Sequence, residues 1–335
     1  MKGAELIRWG RMLFERRLIT GWGGNISCRL GKNRLLITGQ HAPLGFLTPK
    51  DLVEIDLDGK PVDTKRQPSS ETPMHLAIYR GTDARAIVHA HPPLVLTFSL
   101  AHESFVPLSF EEKYTIGEVP IVSHETPTVT DPAEVVEELR LRPIVILRGH
   151  GSVATGKDLQ DAFLLTDLLE EAVHCRLVRD QGAGNAVAAA PRAPEKRAAK
   201  AAHADGAGHA LFSRAHMQAL IDSANADPDF QRQSKEGDLT TTLTLRMDGQ
   251  DAAVTPWTVH FAGGAITRLE AADDGEFSIG GGREWWEAVF RGRLDPFLAT
   301  QQGKLRLERG EMWKLSKWFK PFQRAFALWQ TIPIR

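Results

Sequence analysis

The chain of 335 residues carries 41 Lys and Arg against 42 Asp and Glu, a formal net charge of −1. Nothing global therefore draws it to nucleic acid or to an anionic membrane. Apolar residues make up 42% of the sequence, enough for two cores, and the length favours two compact domains of roughly 100–200 residues each.

The first predicted element is a helix over 4–17, with Leu6, Trp9, Leu13 and Arg16 at helical spacing. Arg8, Arg11 and Glu15 interrupt any apolar core that a secretory leader would need. A glycine-rich turn, GWGGNIS, leads into two strand-like runs, ISCRL and RLLIT. Glu71 to Tyr79 reads as a helix with Met74, Ala77 and Ile78 on one face. AIVHAH and PIVILRGHG are β-branched runs bounded by turn residues, the pattern of buried strands. Asp158 to Arg179 reads as a long amphipathic helix that Asp158 can cap. This alternation specifies an α/β domain over 1–181.

After Asp180 the composition shifts. Residues 182–208 are rich in Ala, Pro, Gly and charge, with Val187 as the one large apolar residue. Such a stretch buries too little surface to offset its ordering entropy and reads as a linker. A second domain is expected over 209–335. Its pattern is a helix near Ala210–Asn225, a strand over 239–248, and a hairpin whose turn is Gly263-Gly264. A short strand (GEFSIGG), a helix (REWWEAVFRG), a further strand (GKLRLERG) and a closing helix from Glu311 follow. Helices beside a small antiparallel sheet make an α+β domain.

Cys28 and Cys175 lack CxxC spacing, which argues against a disulfide scaffold and fits a reducing compartment. No apolar run is long enough to span a bilayer. The expectation is a soluble cytoplasmic protein with no nucleic-acid partner and no transmembrane segment.

The densest chemistry is His89-Ala90-His91 with a third imidazole, His150, in Arg148-Gly149-His150-Gly151. Residues two apart on a strand point to one face, so His89 and His91 can meet one cation and His150 can complete a three-His site with open positions. A bare HxH is more often incidental. The third histidine at a strand end and the nearby acid Glu71 shift the balance toward metal. Glu71 can equally be a helix N-terminal carboxylate, with Ser69 or Ser70 as cap.

The ordered set GGNIS, LIT, PSSE, VHAHP and RGHG resembles the class II aldolase and adducin-head family, of the fuculose-phosphate aldolase type, across about residues 3–181. The resemblance implies an α-β-α layered fold and a divalent metal on His89, His91 and His150. Zn2+ fits first, with Mn2+, Co2+ and Fe2+ as alternatives. It implies that Glu71 exchanges the α-proton while the metal stabilises the enediolate left when a C–C bond of a small carbonyl substrate is cleaved. Related epimerases tend to carry Asp there, so Glu points to carbon–carbon lysis. A ring-shaped homo-tetramer is the implied assembly.

Phosphate-specific members hold phosphate on three loops. The first and third are matched by Gly24-Asn25 and Ser69-Ser70. The second, usually Thr-Pro-Thr/Ser-Gly, reads Thr38-Gly39-Gln40-His41. His41 can meet an anion or stand as a solvated loop histidine. The family's acidic Tyr is replaced in the aligned segment by His124, which is either the proton donor or a surface histidine. His75, one turn after Glu71, reads as a packing or outer-sphere histidine. Three readings remain open: an aldolase acting on a non-phosphorylated or hydrophobic substrate, a dehydratase or oxygenase on the same site, and a lipid-binding or scaffold protein.

Residues 206–332 resemble a sterol-carrier-protein-like domain through Val289 to Gly292, Leu294-Asp295-Pro296 and Gly303-Lys304-Leu305. The resemblance implies an apolar tunnel for a lipid or acyl ligand. The aromatic residues of this half, Trp285, Trp286, Phe290, Phe297, Trp313, Trp318, Phe319, Phe322, Phe326 and Trp329, are core on the plainer reading. With Lys314, Lys317, Lys320 and Arg324 the last helix can alternatively form a basic, aromatic face for a membrane or an acyl-CoA phosphate.

Overall fold

The computed structural model describes residues 2–62, 66–124, 126, 128–184, 208–248, 254–311, 314–315 and 317–335. Most of the expected linker, Val187 included, lies outside the described residues, as does Trp313. The chain divides into two compact units, Met1–Ala189 and Ala190–Arg335.

The first unit is a sheet between two helical layers. Its strands are β1 (Asn25–Arg29), β2 (Arg34–Thr38), β3 (Leu52–Asp56), β4 (Ala86–Ala90), β5 (Ser104–Phe105), β6 (Val119–Val122), β7 (Ile144–Leu147) and β8 (Gly151–Gly156). They lie in the order β3-β2-β1-β4-β8-β7-β6-β5, antiparallel except for the parallel pair β6 and β7. Helices α1 (Lys2–Glu15), α3 (Pro93–Ser99) and α6 (Leu159–Gly184) cover one face. There Leu6, Trp9, Leu13, Phe98, Phe163 and Leu169 meet Ile26, Val88, Ile146 and Ala154. Helices α2 (Thr72–Gly81) and α5 (Ala133–Leu141) cover the other, where Met74, Ile78 and Leu139 meet Leu35, Ile37, Ile87 and Val153. A short helix, α4 (Phe110–Thr115), carries a Ser109–Glu112 capping box. Strand residues of alternate parity supply the two cores, as the two-residue period requires.

Sequence and structure agree on α6, whose first turn is capped by Asp158 Oδ1 accepting from Asp161 N at 2.8 Å. The helix continues to Gly184, past the expected Arg179. Helix α2 starts at Thr72, one residue later than expected, and neither serine caps it. Ser69 Oγ instead accepts the Glu71 N–H at 3.2 Å.

The second unit begins with α7 (Arg214–Ala226) and α8 (Pro228–Glu236). Its sheet contains β9 (Thr241–Met247), β10 (Trp257–Ala262), β11 (Ala265–Glu270), β12 (Phe277–Gly281) and β13 (Leu305–Arg309), in the order β11-β10-β9-β12-β13. Helices α9 (Arg283–Phe290), α10 (Pro296–Gln301) and α11 (Phe319–Trp329) complete it. Gly263 and Gly264 both take positive φ, 62° and 87°, as a tight hairpin turn demands. Trp286, Phe290, Trp318, Phe322, Phe326 and Trp329 are buried, which is the core reading. The expected basic face is largely occupied within the unit. Arg324 pairs with Asp227 at 2.5 Å, Lys314 with Glu311 at 2.9 Å, and Lys317 lies over the Trp318 ring. Among the described residues no helix is long and apolar enough to cross a membrane.

Candidate metal centre

Three strand ends build the site. β4 pairs antiparallel with β1 and with β8, setting His89 opposite Asn25 on one side and Val153 on the other. His91 lies just past the end of β4, and His150 lies in the turn from β7 to β8. Glycines permit the close approach. A Cβ on Gly24, where φ is +77°, would stand 2.6 Å from the His89 carbonyl oxygen. A Cβ on Gly151 would stand 2.1 Å from the Ala90 oxygen and 3.0 Å from the His91 ring. Any side chain at these positions would force the strands apart.

The three imidazoles face one another. Ring centroids are 4.9 Å apart for His89 and His91, 4.7 Å for His89 and His150, and 4.8 Å for His91 and His150. One nitrogen from each lies within 4.8 Å of the others. His89 Nδ1 donates to the Ser152 carbonyl at 3.0 Å, which leaves its Nε2 as a bare lone pair. That Nε2 stands 3.1 Å from His91 Nε2. Two nitrogens on a tetrahedral Zn2+ at 2.0–2.1 Å would be roughly 3.3 Å apart. Burial, aided by the neighbouring rings, holds His89 well below its ordinary pKa. Burial also lowers His91, and it brings His150 to about 4. Three neutral imidazoles thus converge, which is the donor set a borderline-soft divalent cation takes.

Glu71 sits at the N-terminal end of α2. It is buried, and burial raises its pKa to about 7, against the opposing pull of a hydrogen bond from the Val129 N–H. Its Oε2 has no partner among the described residues. His124 brings a fourth ring, 5.1 Å from that of His150. Its Nδ1 donates to the Thr126 carbonyl at 2.7 Å, and its Nε2 is buried and without a partner among the described residues. His150 Nδ1 is likewise buried and unpaired among the described residues.

The second and third loops expected to hold an anion come together, and the Thr38 and Ser69 hydroxyl oxygens each accept a backbone N–H. Ser69 N donates to the Thr38 carbonyl, and Gln40 N to the Gln67 carbonyl, which joins the second and third loops. Thr38 is buried and its Oγ1 accepts from Ile26 N at 3.3 Å. His41 is exposed and holds φ +57°, a left-handed backbone of the kind that suits glycine. Ser70 is exposed. Gln40, Gln67, Ser69, Ser70 and Asp58 line an open cavity of about 380 Å³ whose only charged lining residue, among the described residues, is the Asp58 carboxylate.

Residue-type reasoning ranked His75 as a packing histidine and missed its partners. His75 is fully buried. Its Nε2 bonds Asn25 Oδ1 at 2.6 Å and its Nδ1 bonds Ser27 Oγ at 2.7 Å, while Ser27 Oγ bonds Tyr79 Oη at 2.9 Å. Only the local half of the signal was present. Glu71, His75 and Tyr79 recur at i, i+4 and i+8 on one helix face, and Asn25 and Ser27 share one strand face. His102 is structural, stacked on Phe98 at 3.8 Å, and His174 is exposed.

Residues 4–177 match the model of the class II aldolase and adducin N-terminal domain. An L-fuculose phosphate aldolase of Methanococcus maripaludis is 35% identical over 168 residues, 50% of this chain and 91% of that protein. A methylthioribulose-1-phosphate dehydratase of Gluconobacter oxydans is 30% identical over 192 residues, 53% of this chain and 91% of that protein. The crystal structure of L-fuculose-1-phosphate aldolase from Thermus thermophilus matches with a TM-score of 0.51 and 34% identity, over 56% of this chain and 96% of that one. Over 36% of the chain and 98% of the other, a crystal structure of sterol carrier protein 2 matches at a TM-score of 0.34 and 21% identity, a likeness too slight to speak for a ligand.

Proposed function

The chain belongs to the class II aldolase and adducin family, and from that premise we propose that its first unit is a metal-dependent lyase that makes or breaks a carbon–carbon bond next to a carbonyl. The observation that carries this reading is the convergence of His89, His91 and His150, three neutral imidazoles within 4.8 Å, with the His89 tautomer set by Ser152. These three residues would hold the cation. When bound, it supplies Lewis-acid chemistry, drawing electron density from the substrate carbonyl and offsetting negative charge on the donor fragment.

Glu71 does the proton work. A carboxyl whose pKa burial has brought to about 7 is poised both to take a proton from carbon and to return it near neutrality. His124 is the second proton carrier, because its Nδ1 is committed to Thr126 and its Nε2 is free to exchange a proton with the leaving oxygen. Asn25, through its Nδ2 hydrogens, orients a substrate oxygen. The substrate we infer is a non-phosphorylated hydroxy-ketone. Gln40 and His41 replace the Thr/Ser-Gly pair, and a carboxylate lines the adjoining cavity. Each of these features disfavours a dianion.

The test is metal analysis of purified protein with a donor screen pairing dihydroxyacetone and its phosphate with a set of aldehydes, with Glu71→Gln as control. Turnover by wild type, lost in Glu71→Gln at unchanged metal content, is expected. Equal turnover by both forms removes Glu71 from the mechanism. Likeness to a dehydratase favours a second reading, loss of water from the same site. Recovery of a dehydrated product without aldehyde would select it.

Three further parts of the reading extend beyond the site. A homo-tetramer would cover the exposed Leu100, Val106 and Phe110, and sedimentation measures it. Two free thiols accord with the cytoplasm. An acyl ligand in the second unit would be detected by displacement of a fluorescent fatty acid.

A further inference from the structure

We propose that the buried chain Tyr79–Ser27–His75 is a positioning device that holds the carboxamide of Asn25 in one of its two orientations, with the Nδ2 hydrogens turned to a substrate oxygen beside the imidazole cluster. The inference rests on the placement of Asn25 at the substrate in the reading above.

A carboxamide turned by half a rotation exchanges a donor for an acceptor at nearly the same shape. Left to itself, Asn25 would offer the site either one. Its position gives the choice consequence. Asn25 pairs with His89 across β1 and β4, and Gly24 before it packs against the His89 carbonyl. Its Oδ1 is taken by His75 Nε2 at 2.6 Å, while its Nδ2 makes no hydrogen bond among the described residues.

Proton accounting fixes the direction of the chain. His75 is fully buried, and burial lowers its pKa to about 3, so it carries a single ring proton. If that proton is on Nε2 it donates to Asn25 Oδ1. Nδ1 then accepts from the Ser27 hydroxyl, and the Ser27 oxygen accepts from Tyr79 O–H. Every donor has an acceptor. In the reverse direction Asn25 Nδ2 would donate to His75, His75 Nδ1–H to Ser27, and Ser27 O–H to Tyr79. The Tyr79 hydroxyl proton would then be buried with no acceptor among the described residues, since Ser27 is its one hydrogen-bond partner there. An unsatisfied buried donor costs far more than the bond it forgoes. The Tyr79 hydroxyl, two links away, therefore selects which face Asn25 shows to the substrate. Arg29, stacked 4.9 Å from the Tyr79 ring centroid, fixes the far end.

The test uses the full-length, zinc-loaded protein and calorimetric titration with glycolohydroxamate, a non-phosphorylated hydroxy-carbonyl analogue that chelates zinc as its hydroxamate anion, so that no turnover is required. Asn25→Ala and His75→Leu are each expected to weaken binding about tenfold, the scale of one lost hydrogen bond, and the double variant to be no weaker than either. His75→Gln, which keeps an amide donor for Asn25, should recover most of the affinity, and Tyr79→Phe should lose a few-fold. Zinc content should stay equal throughout, because no variant touches the three histidines. Additive losses in the double variant, or wild-type affinity in both His75→Leu and Tyr79→Phe while Asn25→Ala is weak, overturn the positioning role alone. Wild-type affinity in Asn25→Ala removes Asn25 from the substrate and overturns the reading beneath it. Should His75→Leu fail to fold, Ser27→Ala and Tyr79→Phe carry the same cycle.

Discussion

The two units differ in what surrounds their buried polar groups. In the second, four indoles are sunk into the core and each N–H finds a backbone carbonyl: Trp257 donates to Phe212, Trp286 to Arg246, Trp318 to Gly237 and Trp329 to Leu220, at 2.7 to 3.1 Å. In the first, unpartnered polar atoms concentrate around one spot, with His124 Nε2 and His150 Nδ1 on neighbouring rings, and Glu71 Oε2 is left open as well. The second unit has orphans too, His216 Nε2, Gln302 Nε2 and the adjacent Gln233 Oε1 and Ser234 Oγ of α8, but among the described residues none of them belongs to a three-imidazole cluster. Buried donors and acceptors are satisfied unless something else uses them. It is the chemistry gathered around the open valences, rather than their number, that separates a core from a site.

The largest effect expected from breaking this contrast is at His89. His89→Ala leaves two imidazoles, so zinc affinity should fall by more than the roughly 10–100-fold typical of losing an outer-shell partner. Activity should fall to background, and plasma emission of dialysed protein reads the metal directly. A variant that keeps stoichiometric zinc would break the three-histidine assignment. The counterpart in the second unit is Trp286→Ala. It removes a fully buried indole stacked on Phe290 at 5.8 Å and should cost about 3–5 kcal/mol. Calorimetry should show one melting transition lowered while zinc content and turnover persist. Loss of metal in that variant would show that the two units do not behave as the separate cores described.

How much of this contrast could be read from the chain depends on the range of the signal. The HxH spacing on a strand, the Gly263-Gly264 turn and the Asp158 cap are local, and the structure contains all three. The site itself depends on which strands become neighbours. β1 and β4 are about sixty residues apart in sequence, and no period within either announces their pairing, so the meeting of Asn25 with His75 and His89 was not legible. The start of α2 was misplaced because Ser69 answers the Glu71 N–H, a local bond that competes with capping. The pair Arg324–Asp227 was out of reach for a related reason, since its partners stand 97 residues apart, whereas Lys314 and Glu311 are three apart and readable from helical spacing.

Chelation is expected to give a smaller effect, confined to the first unit. Metal bound only to the folded state stabilises by about 4 kcal/mol when free metal is a thousand times its dissociation constant. Adding EDTA should lower the first transition by several degrees and leave the second in place. Equal shifts in both transitions would mean that the cation is not held by the first unit alone.

The smallest and most discriminating effect is the pH dependence of the metal-free protein. Folding raises the Glu71 pKa from its ordinary 4.5 to about 7 through burial, so between those values the folded state holds a proton that the unfolded chain releases. Stability from this group is complete below about 4.5 and is lost as pH climbs through 7. His75 runs the other way. Its pKa falls from 6.5 to about 3, so its contribution is present above 6.5 and is lost as pH drops toward 3. The metal-free first unit should therefore lose on the order of 2 kcal/mol between pH 5 and 8 on account of Glu71. His89, His91 and His150, which burial also lowers, act in the same direction as His75, so the Glu71 share is read as the stability difference between wild type and Glu71→Gln, a variant that cannot titrate there. Denaturant melts of both forms at a series of pH values should show that difference shift by on the order of 2 kcal/mol between pH 5 and 8. A difference that stays flat over this range would take from Glu71 the poise that the proton transfer requires.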